Sequence, residues 1–243
     1  MHEFQFFTDR VNLAAGVAYL VDDDFKHAVK VLRKKEGDQI LLFDGKGMKY
    51  GAVIEDIRKN VAECRILFVE EEKVPDTPIV SVGFGVVKSG ALTEIIRDAT
   101  ALGVRRFCPV AMKNSVVKSV NIQRLKRVAI ESVKQSGGSI VPEILDVVRL
   151  EKWFEIVQDA ELKLLAYQSA GVTLRSFLKD HSELNSVAII FGPEGDFTHE
   201  EVKKAVDNGF VPVKLINQRL RSNLAVVSAV AYIMYHFYRE VES

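Results

Sequence analysis

Residues 186–202, SVAIIFGPEGDFTHEEV, decide the fold class of this chain. The apolar run 187–190 is typical of a buried strand, and Phe191-Gly192-Pro193-Glu194-Gly195 then turns the chain where the strand ends. Thr198 and Glu201 form a Thr-x-x-Glu capping box, which predicts that a helix begins directly after Thr198. A buried strand, a glycine turn and a capped helix indicate one unit of a mostly parallel α/β sheet.

The same alternation extends to both sides of this unit. The predicted strands are 79–87, 104–111, 144–148, 163–167, 187–191 and 210–215. The predicted helices lie between these strands or after the last of them, near 91–102, 121–135, 151–158, 173–179 and 223–240. Helix 91–102 illustrates the pattern, because Leu92, Ile95, Ile96 and Ala99 recur at helical spacing. We therefore expect a parallel sheet covered by helices over residues 73–243.

Residues 1–72 follow a different pattern. Strands are predicted at 39–43, 49–55 and 61–69, separated by turn sequences, and one helix is predicted from an N-cap at Asp22-Asp23-Asp24 to a stop at Gly37. Consecutive short strands of this kind predict a small β-barrel domain. The acidic run 70–72 with Pro75 and Pro78 indicates a linker to the second domain.

Composition excludes several classes of protein. Cys64 and Cys108 lack the spacing of a zinc site or a disulfide framework, and the five histidines lack metal-ligand spacing. The longest apolar stretch, 224–233, is about half of what a bilayer span needs. Dinucleotide (GxGxxG), phosphate-loop and GxSxG hydrolase motifs are absent. We expect a cytoplasmic protein without a metal, a signal peptide or a membrane span.

The charges are unevenly distributed along a chain whose net charge is zero. Residues 86–135 carry ten lysines and arginines against three carboxylates, an excess that can neutralise phosphates. A solvated helix face would give the same pattern. The candidate RNA-binding residues lie on the basic face of the predicted helix at 22–37 and in the basic cluster at 105–127. They are Lys26, Lys30, Arg33, Lys34, Arg105, Arg106, Arg124 and Arg127.

Two loops at strand ends are candidate binding sites, because ligands of open α/β sheets bind beyond the carboxyl ends of the strands. The first is 191–197, and the second is 215–223, where Arg219 and Arg221 suit an anionic or nucleotide-like partner. Taken alone, the first loop is also explained as an ordinary turn, and the second as a solvated loop with a helix cap.

The order of motifs resembles the RsmE-type 16S rRNA uridine-N3 methyltransferases, which belong to the SPOUT class with its trefoil knot. The matching segments, in chain order, are His27 to Arg33 with Gly37-Asp38, Leu102-Gly103-Val104 with Pro109, Gln135-Ser136-Gly137 with Val141-Pro142, Gly192-Pro193-Glu194-Gly195, and Leu220-Arg221-Ser222. The resemblance covers nearly the whole chain. Any single match is weak evidence, and the resemblance depends on five matches that occur in the same order.

This resemblance implies a PUA-like β-barrel followed by a trefoil-knotted α/β domain, a homodimer, and 16S rRNA or the small ribosomal subunit as the partner. It implies S-adenosyl-L-methionine (SAM) as the cofactor, held mainly by backbone groups of three loops. The implied cofactor residues are Ala166, Tyr167, Phe191, Gly192, Pro193, Gly195, Leu215, Ile216, Asn217, Leu220 and Ser222. Arg221 is the candidate for stabilising negative charge on the uracil, and Glu194 for orienting the base or the cofactor.

The chain departs from the family pattern at Ala101, Lys134, Gly138, Asp196 and Asn223. Asn223 stands where the family has a glutamate, so no general base can be named from the sequence. These departures leave open the same fold acting on another RNA nucleotide, or a SAM- or RNA-binding protein that has lost catalysis. The apolar stripe of the last helix (Leu224, Val227, Ala231, Tyr235 and Tyr238) suits a dimer interface or packing on the chain's own sheet.

Overall fold

The computed structural model describes residues 4–72, 77–115 and 119–238. Pro75 of the predicted linker, Lys118 of the basic run and the predicted helix end at 239–240 lie outside these residues. Two compact units are present: the first comprises residues 1–73 with 130–141, and the second comprises 74–129 with 142–243. The sequence-based division between residues 72 and 73 stays a prediction.

The first unit is built on a six-stranded mixed sheet, whose order is β1-β4-β5-β6-β3-β2. Its strands are β1 (Gln5–Phe7), β2 (Val11–Asn12), β3 (Val17–Val21), β4 (Gln39–Phe43), β5 (Met48–Arg58) and β6 (Val61–Glu71). Alternating apolar residues, among them Phe6, Leu20, Leu42 and Ile54, point to one face and form a core that is closed to solvent.

The predicted helix at 22–37 is shorter and of a different type. A single α-helical turn, α1 (Asp22–Phe25), continues into a π-helix (Lys26–Val31). The predicted N-cap is wrong, since no side chain caps α1. The carboxylate of Asp24 instead accepts a hydrogen bond from the backbone N–H of Phe7 and forms an ion pair with Lys134, both within the first unit. Part of the predicted linker is also wrong, because Glu71 pairs with Met48 and extends β6.

The second unit is an α/β structure in which a seven-stranded sheet has only parallel pairs and the order β10-β8-β7-β12-β11-β13, with β9 also on β8. Its strands are β7 (Ile79–Gly85), β8 (Arg106–Ala111), β9 (Glu143–Ile144), β10 (Val148–Arg149), β11 (Leu162–Ala166), β12 (Ser186–Phe191) and β13 (Val211–Val213). Its helices are α2 (Ser89–Ala101), α3 (Ile122–Ser136, which ends in the first unit), α4 (Leu150–Ile156), α5 (Leu174–Leu178), α6 (His199–Asp207) and α7 (Ser222–Phe237).

The predicted alternation of strands and helices is therefore present, and the strand at 186–191 lies in the middle of the sheet. The Thr198–Glu201 capping box is formed in both directions, as the sequence predicts. The single strand predicted at 144–148 is wrong: β9 and β10 are two short strands that pair with opposite ends of β8. A core around the fully buried Trp153 packs helices against the sheet.

Candidate active site

A cavity of about 840 Å³ opens at the carboxyl ends of β7, β11, β12 and β13 in the second unit. The beginnings of α2 and α7, which pack against each other, form its other wall. The lining residues are Lys88, Gly90, Ala91, Glu94, Ala166, Tyr167, Gln168, Phe191, Gly192, Pro193, Glu194, Asp196, Leu215, Arg219, Leu220, Arg221, Ser222, Asn223 and Ala225. The volume lies within the range of small-molecule and cofactor sites, ~300–1,000 Å³.

Three side chains tie the loops of this cavity together through backbone carbonyls. The amide of Gln168 donates to the carbonyls of Ile216 (3.2 Å) and Asn217 (2.9 Å), which joins the loop after β11 to the loop after β13. Arg219 donates to the carbonyl of Glu194 at 3.2 Å, and Asn114 donates to the carbonyls of Gly195 and Asp196. The loops are therefore held in place by side chains that bond their backbone carbonyls.

Close approach of two backbones shapes the base of the cavity. A Cβ atom at Gly85, the last residue of β7, would lie 2.5 Å from the backbone nitrogen of Pro193. Asp196 has a φ of 62°, a conformation that costs a residue with a side chain some strain. Its carboxylate accepts a hydrogen bond from Phe197 N–H at 2.8 Å, which stabilises the turn.

The cavity contains three cationic and three carboxylate side chains: Lys88, Arg219, Arg221, Glu94, Glu194 and Asp196. One oxygen of Glu194 accepts from the backbone N–H of Lys88 at 3.3 Å. One oxygen of Glu94, on the exposed side of α2, accepts from the side-chain amide of Asn223. Lys88 and Arg219 thus both contact Glu194, so cationic and carboxylate residues lie side by side in one cleft.

Family comparison matches this chain to a known domain over most of its length. The pattern of the RNA methyltransferase domain matches residues 75–234, and that of the RNA methyltransferase PUA domain matches residues 20–67. The chain belongs to the RNA methyltransferase family. The predicted fold class, an α/β parallel-sheet domain preceded by a PUA-like domain, is confirmed, whereas the trefoil knot stays a prediction.

Individual relatives agree with this assignment. The methyltransferase is 30% identical over 219 residues to ribosomal RNA small subunit methyltransferase E of Rickettsia conorii, covering 88% of each chain. It is 28% identical over 228 residues to the Bacillus subtilis protein of that name, covering 89% of each. The crystal structure of ribosomal RNA small subunit methyltransferase E from Neisseria gonorrhoeae bound to S-adenosyl methionine has the same fold, with a TM-score of 0.87 and 24% identity over 97% of this chain and 98% of that one.

Ten of the thirteen residues predicted for the cofactor and for catalysis line the cavity of the methyltransferase. Gly195, Ile216 and Asn217 are not in its wall; their carbonyls accept the hydrogen bonds from Asn114 and Gln168 instead. The structure brings together the three predicted loops, and the role of each residue stays a prediction.

Sequence reasoning missed the wall formed by α2. Lys88, Gly90, Ala91 and Glu94 line the cavity, although none of them belongs to a motif singled out above. The one available signal was the position of this segment directly after β7, which pairs with β12 at the centre of the sheet.

The predicted RNA-binding residues fall into separate places. Lys26, Lys30 and Arg33 are exposed in the first unit, where Lys26 pairs with Asp23. In the second unit, Arg106 lies at the amino end of β8, the edge opposite the cavity, and pairs with Glu143 at 2.7 Å. Arg124 is exposed and donates to Ser89 at the beginning of α2, on the cavity side. RNA contact by any of them stays a prediction.

The two cysteines lie outside the cavity wall. Burial raises the pKa of the Cys64 and Cys108 thiols to about 12, so both are protonated near neutral pH and are weak nucleophiles. Within residues 4–72, 77–115 and 119–238, no cluster of histidine, cysteine and carboxylate side chains could hold a metal ion. In that same part of the chain, no helix has the length and apolar character needed to cross a membrane.

Proposed function

We propose that this methyltransferase transfers a methyl group from SAM to N3 of a uridine in the 16S rRNA of the small ribosomal subunit. The observation that carries the proposal is the cavity at the carboxyl ends of four parallel strands, where a glycine-rich loop, an arginine-containing loop and a helix start converge. The names of the Rickettsia and Bacillus relatives, ribosomal RNA small subunit methyltransferase E, support ribosomal RNA of the small subunit as the substrate class.

The cavity fits SAM in size and in the kind of group that it offers. Ala166, Gly192 and Leu215 offer main-chain groups and apolar surface at the strand ends, where an adenosine can lie against the backbone. The same fold is bound to S-adenosyl methionine in the Neisseria structure. When bound, SAM supplies an electrophilic methyl group on a positively charged sulfur. The protein's contribution is to hold both reactants in line and to exclude water, which can supply up to about 7–11 kcal/mol of the barrier.

Arg221 is the residue that we assign to the negative charge that develops on the uracil. It is the N-cap residue of α7, its side chain is exposed in the cavity, and a guanidinium presents several fixed donors to a carbonyl oxygen or a phosphate. Glu194 acts in this proposal by fixing the loop after β12, because its carboxylate bonds the backbone of Lys88. It does not cap α6, whose cap is Thr198.

Arg221→Ala is expected to lower the turnover of methyl transfer by about 10²-fold, the usual loss when one preorganised donor is removed. The affinity for SAM should change little, because the backbone groups of the loops remain. Single-turnover transfer of labelled methyl and calorimetric titration with SAM measure the two effects separately. Arg175→Ala, an exposed arginine on α5 outside the cavity wall, is the matched control. Turnover of Arg221→Ala equal to that of this control would remove the assignment.

The assembly that we propose is a homodimer formed through α7. This helix buries Val226, Ala229, Val230, Ile233 and Phe237 in its own unit. Its other face carries Leu224 and Tyr235 of the stripe predicted from the sequence, which are 50% and 82% exposed. Tyr238, which the sequence placed in the same stripe, follows the end of the helix in extended conformation and is 56% exposed. A large exposed apolar face on a helix favours contact with another protein surface, and a second copy of this chain supplies a matching one.

Tyr235→Glu is expected to shift the protein from dimer to monomer, because it puts a charge at the most exposed large apolar side chain of the described chain. Sedimentation velocity at several concentrations measures the shift. Val206→Glu, which changes a 46% exposed residue on α6, is the control and should leave the dimer intact. A wild-type protein that sediments as a monomer would contradict the proposed assembly.

Methyl transfer from labelled SAM to small ribosomal subunits that lack the modification tests the function directly. We expect 3-methyluridine, identified by mass spectrometry of the digested RNA. A different methylated nucleotide would favour the same fold acting on another target. Tight SAM binding without transfer to any RNA would favour a protein that has lost catalysis. A cytoplasmic location follows from this function and is part of the proposal.

A further inference from the structure

Glu94 is a cavity carboxylate that none of the sequence motifs includes. It lies on α2, whose buried face is formed by Leu92, Ile95, Ile96, Ala99 and Thr100, and its side chain is exposed on the cavity side. The side-chain amide of Asn223, at the beginning of α7, donates to Glu94 Oε2. Because α2 and α7 pack against each other, this bond fixes the carboxylate between two rigid helices.

The other two cavity carboxylates are held by backbone groups of the loops that carry them or face them. Glu194 accepts from Lys88 N–H, and Asp196 accepts from Phe197 N–H. Asn223 occupies Oε2 of Glu94, and among the described residues no hydrogen bond occupies Oε1. Each of the three carboxylates thus keeps one oxygen for a ligand, and Glu94 is the one of the three that a side chain of a second helix orients.

We propose that Glu94 accepts the N3 proton of the substrate uridine and that Asn223 is its positioning residue. This inference rests on the proposed function, and it names the proton acceptor that the motifs leave unassigned. In the step, the N3–H bond breaks and the proton moves to Glu94, while the electron pair left on N3 forms the new bond to the methyl carbon. The bond between that carbon and the SAM sulfur would break at the same time, and its electron pair would leave with the neutral S-adenosylhomocysteine. The protonated carboxyl group then returns the proton to water after the product leaves.

The position of Glu94 suits the substrate side of the cavity. The loops after β11, β12 and β13 make one wall, whereas Glu94 stands on the α2 wall together with Gly90 and Ala91, which leave room for a planar base. The charged groups around it are Lys88 before α2, Arg97 on α2, Glu194 and Asp196 in the loop after β12, and Arg219 and Arg221 before α7. Arg221 can stabilise the anionic base that forms as Glu94 takes the proton.

Glu94→Gln tests the assignment because it keeps the shape and the bond to Asn223 but cannot take the proton. We expect turnover on small subunits to fall by about 10²-fold near neutral pH. The difference in turnover between Glu94→Gln and wild type should become smaller as the pH rises, because hydroxide can then remove the N3 proton of the uracil. SAM affinity, measured by calorimetry, should be unchanged. Asp98→Asn, which makes the same chemical change on the same helix outside the cavity wall, should behave like wild type. Asn223→Ala should show a smaller loss with the same pH dependence.

A second readout needs no turnover. In NMR titrations with S-adenosylhomocysteine present, the wild-type protein should bind uridine 5′-monophosphate more tightly than its 3-methyl derivative, which lacks the N–H donor. Glu94→Gln should lose this preference. Unchanged turnover of Glu94→Gln, or a loss explained by weaker SAM binding, overturns the assignment of Glu94 and leaves the proposed function intact. A wild-type protein that methylates no RNA overturns the proposed function and this inference with it.

Discussion

Lys134→Met is expected to lower the free energy of unfolding of the first unit by about 3–5 kcal/mol. Lys134 Nζ lies 2.8 Å from Asp24 Oδ1, and the two side chains are only 9% and 13% exposed. Removal of the ammonium group leaves the carboxylate of Asp24 buried with the Phe7 N–H as a remaining partner. The cost of an uncompensated buried charge is much larger than that of a lost surface pair.

The pH dependence of this variant has a definite sign. Burial already raises the pKa of Asp24 above its usual value, and Lys134 opposes that rise. Without Lys134 the pKa of Asp24 rises further, so the folded variant binds a proton more tightly than the unfolded chain does. Stability therefore increases as the pH falls through the raised folded pKa towards the unfolded value near 4. The deficit of Lys134→Met relative to wild type should be smaller at about pH 5 than at about pH 8.

Urea unfolding of three variants checks this prediction. Asp24→Leu combined with Lys134→Met should recover most of the loss, because an apolar pair replaces the ion pair without leaving a charge. Lys26→Met is the matched control: it breaks the pair with Asp23, whose side chains are 59% and 72% exposed, and should cost at most about 1 kcal/mol. A single variant Lys134→Met as stable as this control would contradict the prediction.

The ion pair also explains why one part of the structure could not be predicted. Lys134 departs from the family pattern, and the sequence alone gives no partner for it, because Asp24 is 110 positions earlier and was interpreted as a helix cap. The α/β alternation could be predicted, since strand 186–191 and helix 91–102 follow local periodicity. Short-range rules do not describe the π-helix at Lys26–Val31 or the split between β9 and β10, which depend on packing partners far along the chain.

The candidate site divides in the same way. Loops 191–197 and 215–223 were predictable because each directly follows an apolar strand and carries glycine or arginine. Glu94 was not, because a single glutamate on an amphipathic helix is indistinguishable in sequence from a solvated residue. Its place in the cavity depends on the packing of α2 against α7, and on Asn223 facing it across that contact.

Gly85→Ala is expected to reduce methyl transfer by about 10²-fold or more and to lower stability by about 1–3 kcal/mol. The added Cβ atom would lie 2.5 Å from the backbone nitrogen and 2.6 Å from Cδ of Pro193, so the loop after β12 has to move. Phe191, Gly192, Pro193 and Glu194 all line the cavity, and a shift of this loop displaces one complete wall of the site. A flexible side chain could give way at small cost, whereas a backbone nitrogen and a proline ring cannot.

Gly171→Ala is the matched control for this change, because a Cβ atom at Gly171 meets no atom within 4 Å. Calorimetric titration with SAM, labelled methyl transfer and urea unfolding should be measured on both variants. We expect Gly85→Ala to bind SAM more weakly as well as to turn over more slowly, which distinguishes it from Arg221→Ala and Glu94→Gln, where the cofactor loops stay in place. If Gly85→Ala bound SAM as tightly as the control does, the loop after β12 would not be a wall of the cofactor site. The cofactor site would then be assigned to the loops after β11 and β13 alone.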